Sequence, residues 1–174
     1  MSALSGDPRR EAGALALLES GPPYDCEHVV PQSWFRGGHS GVPKGDLHHL
    51  FTCKHACNGY RASVPFWEFP DHDPAGADCG WKEPDRFEPA EGRSQAARAV
   101  FYFLLRYPGM IDDVPGELQR ERLGTLLAWH QLEPPTLYEL HRNAAIQEKQ
   151  GVRNPLIDFP QLASRIDFTQ GLGG

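Results

Sequence analysis

Glu27 and His28 stand side by side in this sequence, and His48 and His49 form a second such pair further on, with Cys57, Asn58 and Arg61 close behind. Glutamate, histidine and asparagine offer oxygen and imidazole donors suited to a divalent cation. On a helix, Asn58 and Arg61 are three apart and share a face. A carboxylate and an amide oxygen can hold one Mg²⁺, a neutral imidazole beside them can deprotonate water, and a guanidinium can meet a phosphate. Those are the parts needed for metal-assisted phosphodiester hydrolysis. Each residue also has a plainer use. Glu-His pairs are common, Asn58 can cap or turn the backbone, and a double histidine can pack or make structural hydrogen bonds.

The four cysteines, Cys26, Cys53, Cys57 and Cys79, all lie in the first half of the chain among histidines and acids. An even number permits two disulfides in three connectivities. Clustering in a chain read as unsecreted points instead to a structural metal, and buried free thiols are the third option. Cys53 and Cys57 are spaced CxxxC rather than CxxC and lie in no βαβ pattern, which argues against a thiol oxidoreductase.

The elements that must position these groups read as follows. Residues 10–19 suit a short helix, broken by Gly21, Pro22 and Pro23. Tyr24 to Val30 suits a strand stopped by Pro31, Arg36 to Gly45 a loop, Leu47 to Thr52 a second strand, and Lys54 to Ser63 a short helix ended before Pro65. Neighbours on a flat strand point to opposite faces, so Glu27 and His28 can serve one site only if the chain bends there; Pro31 offers a bend. Residues 66–91 look irregular, with four prolines at 70, 74, 84 and 89. Beyond about 91 the pattern turns helical. Ala96, Ala97, Val100, Phe101, Leu104 and Leu105 recur at helical spacing within Ser94 to Arg106. A second helix is expected over Glu117 to His130. A third opens on a capping box at Thr136 and Glu139 and closes at Gly151. The end, from Thr169, looks frayed.

Length and charge bound the rest. A chain of 174 residues is one domain by the usual measure of about 150 per domain. No stretch approaches the roughly 18 uncharged apolar residues of a membrane span. The apolar run from Ala12 to Leu18 is too short for a signal peptide and lacks a cleavage pattern, so the chain reads as cytoplasmic. A net charge of −6 excludes binding of nucleic acid by bulk positive charge.

The run Cys26-Glu27-His28-Val29-Val30-Pro31-Gln32-Ser33-Trp34-Phe35 resembles the EHVWPQSWF signature of the bacterial endonuclease I family. Asp46 to Phe51 matches its DLHHLF segment. Asn58, Arg61, Pro65 and Phe66 fit VNxxRxNxPF, with Cys57 at the valine and Ser63 at the second asparagine. Gln150 to Asp158 resembles QGNRNPFID. The resemblance implies an α+β fold, a ββα-metal (His-Me finger, HNH-like) core at about 24–66 within one nuclease domain over 1–174 whose helical part spans about 92–168. It implies largely non-specific cleavage of DNA, and in many members of RNA, to 5′-phosphate products. His28 would be the general base, and Glu27 and Asn58 the ligands of one Mg²⁺, or of Mn²⁺ or Ca²⁺. His49 and Arg61 join His28 as candidate catalytic residues, with His48 and His49 holding the second strand or orienting His28. Arg61, Arg142, Arg153 and Lys44 are candidate phosphate contacts, and the Arg153 block serves equally to brace the fold.

The cysteines depart from the family pattern. Cys53, Cys57, Cys79 and Cys26 would make a structural Zn²⁺ site, as cysteine pairs do in HNH nucleases. No membrane or protein partner is implied and the chain is expected to be a monomer, although members of the family are often secreted or periplasmic. The competing reading is a zinc-stabilised nucleic-acid-binding module without catalysis, which would have no use for His28.

Overall fold

The structure, a computed structural model, describes residues 24–38, 41–71 and 77–174. The expected helix at 10–19 and the signal-peptide reading lie outside these residues. Strand β1 (Tyr24–His28) pairs antiparallel with β2 (Leu50–Lys54), setting Glu27 opposite Phe51 and His28 opposite Leu50. β2 begins three residues later than the sequence suggests. The Asp46 carboxylate accepts the backbone N–H of His48 at 3.0 Å and caps a 3-10 turn over Leu47–His49, which keeps those residues out of the strand. Helix α1 (His55–Arg61) follows directly and ends where Ala62 takes a positive φ of 56°.

The segment expected to be irregular holds a hairpin, β3 (Trp81–Glu83) with β4 (Arg86–Glu88), joined to the 65–67 strip through a bridge between Phe66 and Phe87. Gly80 leads into it at a φ of +107°. A Cβ there would lie 2.1 Å from the Glu88 carbonyl oxygen, so only glycine fits.

Helix α2 (Arg93–Arg106) is the spine of the core, and Ala97, Val100, Phe101, Phe103 and Leu104 are buried along it. Leu105, counted in its apolar stripe, is 41% exposed. Helix α3 (Leu123–Leu132) starts later than expected because residues 120–122 form a 3-10 turn first. Helix α4 (Leu137–Gln150) has the expected capping box at Thr136 and Glu139 and the left-handed Gly151. Glu139 also takes two hydrogen bonds from Arg98, at 2.7 and 3.0 Å, which ties α4 to α2 inside the protein.

A short α5 (Pro155–Asp158) is capped by buried Asn154. The chain then runs back across the core rather than fraying. Phe168 stacks on Phe101 with centroids 3.9 Å apart, and β6 (Leu172–Gly173) pairs in parallel with β5 (Ile111–Asp112). The architecture is α+β, with helices around three small two-stranded sheets among the described residues. No described helix is long and apolar enough to cross a membrane.

Candidate active site

An open cleft of about 410 Å³ lies between β1, α1 and the turn after β1. Asp25, Glu27, His28, Gln32, His55 and Asn58 are among the residues that line it, and none of its described lining residues is Lys or Arg. The sequence-predicted residues Glu27, His28 and Asn58 therefore meet in one place, although Asn58 comes from a different element. Two carboxylates without a lining cation make a negative cleft. It attracts a metal ion and, left to itself, repels phosphate.

Arg61 explains how adjacent residues can share this site. Its side chain is almost fully buried. It donates to Glu27 Oε1, to the His28 carbonyl at 3.2 Å and to the Val29 carbonyl at 2.9 Å. Successive carbonyls of a flat strand point opposite ways. With both turned to one guanidinium, the chain has left the pleat after His28. Phe66 lies 4.2 Å beneath the guanidinium. Burial lowers the Arg61 pKa from its ordinary value and the Glu27 charge opposes that shift.

His28 is held by its Nε2, which donates to the Lys44 carbonyl at 3.0 Å. A carbonyl only accepts, so Nε2 carries the proton and Nδ1 keeps its lone pair. The Gln32 amide nitrogen lies close to both ring nitrogens, 3.2 Å from Nε2 and 3.3 Å from Nδ1. His49 packs edge-on behind the His28 ring, with centroids 5.5 Å apart, and donates from Nε2 to the Pro43 carbonyl at 2.7 Å. It is fully buried, and desolvation pushes its pKa down to about 4 against the opposing pull of that carbonyl. His48 is buried beside Tyr102 and bonds the Val152 carbonyl at 3.1 Å.

Both histidines rest on a frame built around Asp46. This buried carboxylate takes hydrogen bonds from the His48 backbone, from the hydroxyls of Tyr102 and Tyr107 at 2.8 and 2.7 Å, and from Gln150. Burial would raise its pKa, but these four donors outweigh burial and lower it.

Several expected roles need correction. His49 and Arg61, expected as catalytic residues, are buried and do not line the cleft; His49 packs against His28 and Arg61 bonds Glu27. Arg142 is half-buried, donating to the Leu47 and Leu50 carbonyls, and lies 4.4 Å over Phe51. Arg153 pairs bidentately with Asp158, at 2.5 and 2.7 Å. Both arginines are thus bonded within the protein, and neither lines the cleft. Lys44 contributes its backbone carbonyl. The four-cysteine zinc site is not formed, because Cys57 and Cys79 are joined as a disulfide. Cys26 and Cys53 stay free, and they alternate along the hairpin, opposite Thr52 and Asp25, so they face opposite sides.

Asp25 and His55 escaped the sequence reading. The Asp25 Oδ2 accepts from His55 Nδ1 at 2.7 Å and from Asn58 Nδ2 at 3.3 Å. Its position two before Glu27, on the same strand face, was the available signal.

The family model described as Endonuclease I matches residues 7–161. The chain is 30% identical over 155 residues to an extracellular ribonuclease of Bacillus amyloliquefaciens, covering 82% of this chain and 53% of the relative. It is 31% identical over 157 residues to an extracellular ribonuclease of Bacillus subtilis (strain 168), covering 82% and 54%. It is 30% identical over 173 residues to a periplasmic deoxyribonuclease of Aeromonas hydrophila, covering 87% and 67%. The chain spans about half the length of the two ribonucleases it matches.

Proposed function

The chain belongs to the endonuclease I family, and on that footing we propose that it is a divalent-metal-dependent, largely sequence-non-specific endonuclease acting on DNA, with RNA as a second substrate. The relatives named above include both ribonucleases and a deoxyribonuclease, which supports the breadth of substrate. In this reading β1, β2 and α1 form the ββα-metal core of a single nuclease domain. The observation that carries the proposal is the hydrogen bond that holds the His28 ring against the Lys44 carbonyl in a cleft shared with Glu27 and Asn58.

The donor set fits a hard cation. Glu27 gives Oε1 to Arg61, and among the described residues nothing donates to Oε2. Asn58 turns its amide nitrogen to Asp25, and its oxygen Oδ1 takes no hydrogen bond from a described residue. Glu27 and Asn58 would thus hold Mg²⁺, or Mn²⁺ or Ca²⁺. When bound, the ion supplies a Lewis acid for the scissile phosphate and for the leaving 3′ oxygen. His28 Nδ1 accepts a proton from the attacking water, and the Lys44 carbonyl stabilises the imidazolium through the Nε2 proton. Arg61 holds Glu27 in place, and the edge of His49 limits tilting of the His28 ring. Attack by water on phosphorus leaves a 5′-phosphate product.

A disulfide beside the site suits an oxidising compartment, as do the extracellular and periplasmic names of the relatives. This reading replaces the cytoplasmic one. The zinc-stabilised binding module loses its footing, since two of its four ligands are bonded to each other.

A plasmid-nicking assay tests the proposal. Wild type is expected to nick supercoiled DNA in Mg²⁺ and not in EDTA. His28→Ala is expected to lose at least about 100-fold, the usual contribution of a general base. Cleavage that survives in His28→Ala would overturn the assignment of the base. Binding of DNA without cleavage in any divalent metal would overturn the enzyme reading.

A further inference from the structure

We infer that Asp25 is a positioning residue whose carboxylate fixes the amide of Asn58 so that its oxygen, not its nitrogen, faces the metal-binding cleft. This inference rests on the reading of Asn58 as a metal ligand. An asparagine amide is nearly symmetric in shape, yet its two ends are opposite in chemistry. Oδ1 can ligate a cation and the NH₂ cannot. A half-turn about the last side-chain bond converts a ligand into an obstacle, so something must choose the rotamer.

Asp25 makes that choice. Its Oδ2 lies 3.3 Å from Asn58 Nδ2, and a carboxylate accepts without donating, so only the nitrogen is favoured on that side. Asp25 is itself held by His55 Nδ1 at 2.7 Å, from the same helix. The two contacts converge on one oxygen. Asp25 Oδ1 takes no hydrogen bond from a described residue, and the side chain is 37% exposed. Asp25 and Glu27 share a face of β1, so the strand that supplies one ligand also sets the orientation of the other.

The test is Mn²⁺ affinity of the full chain, read from free Mn²⁺ by electron paramagnetic resonance, on variants whose circular dichroism matches wild type. Asp25→Ala is expected to weaken Mn²⁺ binding by about 10-fold, the lower end of what a lost supporting partner costs a metal site. Asp25→Asn keeps an acceptor oxygen for Asn58 and can turn its NH₂ to the exposed side. It is expected to stay within about threefold of wild type, although the charge is gone. In an Asn58→Ala background, Asp25→Ala is expected to cost nothing more, because the amide it orients is absent. The inference is overturned if Asp25→Ala binds like wild type. It is overturned equally if Asp25→Asn is as weak as Asp25→Ala, which would mark a charge effect, or if the two alanine substitutions add. The metal-ligand reading fails separately, and visibly, if Asn58→Ala alone leaves Mn²⁺ affinity unchanged.

Discussion

His49 shows how a buried histidine can serve the ring beside it without facing the cleft. Its ring is buried, neutral and bonded to a backbone carbonyl, with a pKa held down to about 4 chiefly by desolvation. The unfolded chain takes up this proton near pH 6.5, the folded chain only near 4. The stabilisation is therefore complete above about 6.5 and is lost as the pH falls through that window. The difference corresponds to roughly 3 kcal/mol. Urea unfolding between pH 7 and pH 4 should show stability declining with acid, and the His49 ring resonances should titrate near 4 in the folded protein. At this scale Glu27, His28 and Asn58 were legible as a donor set, because their types limit what they can do. The burial of Arg61 and His49 was not legible, since exposure depends on what α2 and Phe66 place around them. Asp25 was missed because a lone aspartate carries no type-specific signal until its partners are known.

Among the elements, α1 is the least self-sufficient. It has seven residues, includes Gly59, and has no side-chain cap at its start. Isolated helices this short do not hold in water. The Cys57–Cys79 disulfide fastens it to the segment leading into β3, while Arg61 fastens its last turn to the end of β1. A crosslink closing 22 residues should contribute about 3 kcal/mol on the chain-entropy account. The double substitution Cys57→Ser with Cys79→Ser is expected to lower the unfolding free energy measured in urea by that much, and reductant should do the same to wild type and nothing to the double variant. The strand–loop–strand–helix order and the α4 capping box were readable because they depend on local periodicity and caps. The β3–β4 hairpin was hidden because strands of three residues are too short to show alternation. The pairing of β6 with β5 depends on contacts far apart in sequence, which a local pattern does not carry.

For the molecule as a whole, the charge is −6 and the arginines that looked available for phosphate are committed to the protein. The long-range charge therefore opposes a nucleic acid, and the cleft's described lining adds no Lys or Arg to displace its counterions. Contact with about two or three phosphates predicts a slope of about −2 to −3 in a plot of log affinity against log salt, measured in Ca²⁺ by fluorescence anisotropy. A much steeper slope would reveal a basic surface that the described residues do not show. One further property follows from Asp46, on which the turn before β2, helix α2 and the end of α4 all converge. A buried carboxylate is tolerable only with its full complement of donors, so an intermediate that has docked some of these elements and not the others is penalised. The frame behind His28 is therefore cooperative in the strict sense. Amides of β2, α2 and α4 are expected to open as one unit in hydrogen exchange, taking the support behind His28 with them.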